Sequence, residues 1–92
     1  MTDETVSLDA ALAGDEAALE ELLARVQDDV FNLALRMLGT VPDAEDATQE
    51  VLIKAITRLS SFRRESSFST WVYRIALNHL ATYRKGLFAR FP

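Results

Sequence analysis

From Leu8 to Leu38 apolar residues return every three or four positions, through Leu12, Leu19, Leu22, Leu23, Val26, Val30, Leu33, Ala34, Met37 and Leu38. That is the period of one face of an α-helix, and no useful run of the two-residue alternation of a strand occurs anywhere in the chain. Gly14 interrupts the stretch and Asp15 is a good N-cap, so the pattern predicts a short first helix and a long second one from about Asp15 to Leu38. Gly39 is placed to end it in the left-handed conformation. Pro42 then suits the first turn of a third helix, with Asp43, Glu45 and Asp46 where the macrodipole favours acids, and the period carries that helix to about Leu59. Residues 60–67 lack periodicity and predict a loop. A last helix should begin near Ser67 or Ser69 and stop at Gly86. The fold class expected is all-α, a compact bundle of about four helices over residues 1–86, with 87–92 as a tail or the start of a linker.

Two of these helices divide into unlike faces at 100° per residue. In the third, Ala44, Ala47, Thr48, Val51, Leu52, Ala55 and Leu59 form the core stripe. The other side holds Asp46, Gln49, Glu50, Ile53 and Thr57. An isoleucine ringed by acids and an amide reads as an apolar contact centre with a rim for a basic partner, although one exposed isoleucine needs no function. In the last helix Val72, Ile75, Ala76, His79, Leu80 and Tyr83 form the inner stripe, and Trp71, Arg74, Asn78, Ala81, Thr82 and Lys85 share the outer side. Cations, an amide and small residues on one face suit a polyanion. Trp71 at the helix start is equally a core residue.

The loop between these helices, "FRRESSF", puts Phe62 and Phe68 around Arg63, Arg64, Glu65, Ser66 and Ser67. Aromatic rings beside cations hold unstacked bases, each stack being worth about 1–3 kcal/mol, and Ser hydroxyls can bond a base edge. The alternative is that the two rings turn inward and pin the loop. We expect both, with the phenylalanines partly structural and "RRESS" functional.

Charge strengthens this division. The formal net charge of −4 conceals a balance of −11 over residues 1–53 and +7 over 54–92, which sets a C-terminal surface for polyanions against an acidic N-terminal half. The chain has no cysteine, and a lone His79 on a buried stripe is expected to be a core histidine, so no metal, cofactor or catalytic site is expected. No nucleophile motif or phosphate-binding loop occurs, and the protein is not expected to be an enzyme. No apolar run approaches the roughly 20 residues that span a bilayer, and the acidic start lacks a signal peptide's basic region. No membrane association and a cytoplasmic location are expected.

"VFNLALRMLG", "DAEDATQEVLIKAITRLSSF" and "FRRESSFSTWVYRIALN", in that order and spacing, resemble the second domain of bacterial extracytoplasmic-function sigma factors over about residues 15–85. The resemblance implies a helical domain that binds the clamp helices of the largest subunit of core RNA polymerase and recognises and melts the promoter −10 element. On that pattern Asp46, Gln49 and Glu50 fall on the polymerase-binding helix, on the face that holds Ile53, so Ile53 is expected to bind polymerase with them. "FRRESSF", residues Phe62 to Phe68, falls on the loop that takes up a flipped non-template base of the single-stranded −10 element. Trp71, Arg74 and Asn78 fall on the promoter-facing helix, and Lys85, on the same outer side, is expected to lie along the DNA with them. An anti-sigma protein covering these surfaces is the regulator implied. Two departures stand out: Thr82 replaces an Asp common in the family, and the tail after Lys85 is less basic than usual. Family members also carry a second helical domain that reads the −35 element. The sequence stops at Pro92, and we expect an excised domain, or else a natural single-domain variant. The rival reading from another class is a helical adaptor that binds a basic protein and no nucleic acid.

Overall fold

In a computed structural model, residues 4–89 are described, with side chains over 6–83. Four α-helices account for nearly all of them: α1 (Glu4–Leu12), α2 (Glu16–Leu38), α3 (Val41–Thr57) and α4 (Phe68–Ala89), with a short 3-10 turn at Leu59–Ser61. No strand occurs among the described residues. The expected all-α bundle is thus the observed fold.

Local chemistry sets the boundaries. Asp15 accepts from the Ala18 backbone N–H at 3.1 Å and so satisfies one orphan donor at the start of α2. Gly39 closes that helix at φ 86°, its N–H reaching the Leu35 carbonyl at 2.9 Å, in a conformation that costs glycine little. Thr40 caps α3, and its hydroxyl donates in turn to Asp43 Oδ2 at 2.8 Å. Ser67 caps α4 by accepting from the Thr70 N–H at 3.1 Å. Two predicted ends move. α3 stops at Thr57, with Leu59 taken into the 3-10 turn. α4 passes through Gly86 to Ala89, because a glycine inside a continuing helix costs only about 1 kcal/mol and does not force a stop. Residues 90–92 of the expected tail lie outside the described residues.

α2 is the central element, and α1, α3 and α4 pack around it. Leu22, Val26 and Val30 face inward from α2, and Val72, Ala76 and Leu80 from α4. α3 contributes mainly small side chains, Ala44, Ala47, Val51 and Ala55, all of them closed off from solvent. Small residues on the buried stripe leave room for close approach of helix axes, and the other side of α3 is turned outward. Thr48, buried in this stripe, satisfies its hydroxyl on the Ala44 carbonyl at 2.7 Å.

Candidate polymerase and nucleic-acid interfaces

The outer side of α3 stands as the 100° projection requires. Asp46, Gln49, Glu50 and Thr57 are exposed, and Ile53 is 61% exposed at their centre. Ile56, 45% exposed, widens the apolar centre and was not foreseen. A cleft of about 380 Å³ continues this surface onto α2, where Gln27, Asp28 and half-buried Phe31 face Glu45 and Gln49. The acidic face is therefore broader than one helix, which a projection of α3 by itself does not reveal.

Glu50 is shared between two surroundings. Its Oε2 lies 2.8 Å from His79 Nε2 on α4, without the alignment of a hydrogen bond. The other ring nitrogen, Nδ1, is 2.8 Å from Lys54 Nζ. An ammonium has only donors, so Nδ1 accepts from Lys54, while Nε2 is buried beside the Glu50 carboxylate without a hydrogen bond. His79 is thus half-buried and tied to two charged side chains of α3. One turn further on, the Tyr83 hydroxyl donates to Asp43 Oδ1 at 3.3 Å. Burial pushes the Tyr83 phenol above its usual pKa, and the nearby Asp43 carboxylate adds to the shift. These contacts make a polar seam between α3 and α4.

In the loop, the aromatic residues behave differently from their polar neighbours. Phe62 and Phe68 are 8% and 2% exposed, and both pack on Trp71, with ring centroids 4.9 and 5.9 Å away. Phe62 and Phe68 meet edge to face at 6.0 Å. This three-ring cluster clamps both ends of the loop. The stacking role expected of Phe62 and Phe68 is not open to a base in this arrangement, because the rings are closed off from solvent by each other and by the core. Half-buried Trp71 belongs to the same clamp.

Between the clamped ends, Arg63 is exposed and makes no side-chain hydrogen bond or ion pair among the described residues, while Ser66 is half-buried. Ser67 serves as the α4 cap, so its hydroxyl is already engaged with Thr70. Arg64 is the only non-glycine residue with positive φ among those described, at 60°. That conformation costs an ordinary side chain about 1–2 kcal/mol. Its guanidinium bonds the Asp9 carboxylate of α1, an exposed pairing of the kind worth up to about 1 kcal/mol.

Arg74 and Asn78 are exposed one turn apart on α4. Arg74 also lines a groove of about 400 Å³ between α2 and α4, together with Ser69, Thr70 and Tyr73, and with Asp29 on the far wall. The Lys85 side chain lies outside the described residues. Asp9, Asp29 and Tyr73 were not singled out from the sequence. Their approach depends on how three helices pack, and no local pattern signals it.

The described residues thus form a small all-α domain in which an acidic, apolar-centred face of α3 is chemically distinct from a loop and α4 surface carrying exposed arginines. The sequence model of Sigma-70 region 2 matches residues 22–86, which covers most of α2, all of α3, the loop and most of α4. The chain belongs to the Sigma-70 region 2 family, as its motifs led us to expect. It is 43% identical over 65 residues to the "ECF RNA polymerase sigma factor SigW" of Bacillus subtilis, a match covering 71% of this chain and 35% of that protein. It is 40% identical over 65 residues to the "RNA polymerase sigma-H factor" of Pseudomonas aeruginosa, covering 71% and 34%. The "ECF RNA polymerase sigma-E factor" of Escherichia coli is 40% identical over 83 residues, covering 90% and 42%. The chain therefore spans well under half the length of these relatives.

Proposed function

We propose that this domain serves transcription initiation by docking on core RNA polymerase and opening the promoter −10 element. The observation that carries the reading is that the family match, residues 22–86, contains both the acidic face of α3 and the clamped loop with α4. The outer side of α3, Asp46, Gln49, Glu50 and Ile53, seats on a basic helical surface of polymerase such as the clamp helices. Ile53 supplies the desolvated centre and the acids the pairing rim. Arg74 and Asn78 lie along promoter DNA. Arg63, Ser66 and the backbone of residues 63–66 capture an unpaired non-template base, and the cost of unstacking is offset by hydrogen bonds in the loop. The domain performs no bond chemistry; strand opening is driven by binding energy. No helix among the described residues is long and apolar enough to cross a membrane, and the domain works where polymerase and DNA are, in the cytoplasm. The same two surfaces are the ones an anti-sigma protein would cover.

The test is assembly of the domain with purified core polymerase, followed by retention of a labelled single-stranded −10-type oligonucleotide that neither component holds alone. Retention that weakens log-linearly with salt supports the reading, because contacts to phosphate release counterions. Polymerase binding without retention reduces the domain to a docking module. No polymerase binding overturns the proposal in favour of an adaptor.

A further inference from the structure

We infer that Asp9 is a positioning residue for the loop. Through Arg64 it fixes the path of residues 63–66 and leaves Arg63 as the loop cation that meets phosphate. The inference rests on the proposed reading of this loop as the strand-capturing element. It concerns a helix that lies outside the family match, since α1 ends at Leu12 and the match begins at residue 22.

Three observations converge. First, Arg64 is held in the left-handed region at φ 60°, where a side chain other than glycine needs an external hold. Second, the only hold its side chain has among the described residues is Asp9, 55 positions away in sequence. Third, Asp9 is carried by a firmly seated helix, because the neighbouring Leu8 and Ala11 are buried in the core. The loop is thus fixed at three points: the aromatic clamp at Phe62 and Phe68, the Ser67 cap, and Asp9 at its middle. Without the carboxylate, Arg64 relaxes toward right-handed backbone, which re-aims Arg63 and Ser66 on either side of it. A guanidinium already compensated by a carboxylate draws phosphate weakly. Arg63 has no such partner among the described residues.

The experiment uses the polymerase-bound 92-residue chain and a labelled single-stranded −10-type oligonucleotide. Asp9→Asn, which keeps shape and removes charge, is expected to weaken capture about three- to fivefold with polymerase affinity unchanged, and Asp9→Glu to restore most of it. In an Arg64→Gly background Asp9→Asn should have no further effect, because glycine takes the left-handed turn unaided. Arg63→Ala should lower the slope of log affinity against log salt by about 0.7, while Arg64→Gly leaves it unchanged. Wild-type capture by Asp9→Asn overturns the inference, as does an Arg64→Gly slope that falls like that of Arg63→Ala. Amide hydrogen exchange of residues 63–67 without DNA separates this inference from the function it rests on. Faster exchange in Asp9→Asn supports positioning even if wild type retains no oligonucleotide, an outcome that sinks only the proposed function. Unchanged exchange sinks the positioning role even if capture is normal.

Discussion

The outer face of α3 and the loop before α4 are both proposed contact surfaces, yet they are built on opposite plans. On α3 the surface follows from a regular helix: once Ala44, Ala47, Val51 and Ala55 are buried, Asp46, Gln49, Glu50 and Ile53 have to point outward. In the loop no such rule applies. Its aromatic residues turned inward, one serine became a cap and one arginine became a strut, and these assignments come from contacts with α1 and α4. A helix face can lose one side chain and keep the rest in place. A loop supported at a few points cannot, so structural and contact roles are harder to separate there.

The largest effect that tests this contrast is expected at the clamp. Phe68→Ala removes a ring that is 2% exposed and should cost about 3–5 kcal/mol in urea unfolding, out of a total of about 5–15 for a domain of this kind. Both surfaces would fail with it. A loss below about 1 kcal/mol would mean that the clamp is not part of the core. Next come Asp46→Ala and Ile53→Ala, which should each weaken binding to core polymerase by about tenfold while stability stays within about 0.5 kcal/mol of wild type. Normal polymerase titrations for both would remove α3 as the docking face.

A smaller pair of changes divides the loop internally. Ser67→Ala deletes the α4 cap and should cost about 1 kcal/mol of stability, with single-strand and duplex binding declining together. Ser66→Ala should leave stability within about 0.5 kcal/mol and reduce capture of single-stranded −10 sequence more than duplex binding. Equal losses on both substrates for Ser66→Ala would make that residue structural as well. The smallest effect belongs to the seam behind these surfaces. Because the Tyr83 phenol is raised in the folded state by burial and by Asp43, its contribution is complete below the usual tyrosine pKa of about 10 and fades as pH climbs through the raised value. Alkaline unfolding of Tyr83→Phe should therefore depend less steeply on pH than that of wild type. Identical pH profiles would show that the seam does not contribute.

Much of this molecule was legible in the sequence. Helix number, the Asp15 cap, a last-helix start at Ser67 or Ser69, the Gly39 stop and the two faces of α3 are consequences of local propensity and a 3.6-residue period, and each depends on residues within a few positions of one another; the packed structure selects Ser67 as the cap. The end of α4 was not so legible, since Gly86 weakens a helix without terminating it. Nor did local pattern show that His79 would sit between Glu50 and Lys54, that Tyr83 would reach Asp43, or that Phe62 and Phe68 would close on Trp71. Sequence by itself thus determined the elements, their inward faces and the family motifs, because these depend on near neighbours along the chain. Only the tertiary structure decided which loop residues are buried, and which arginine is tied down and which has no side-chain partner among the described residues. Those outcomes turn on side chains as far apart as Asp9 and Arg64, brought together when the helices pack.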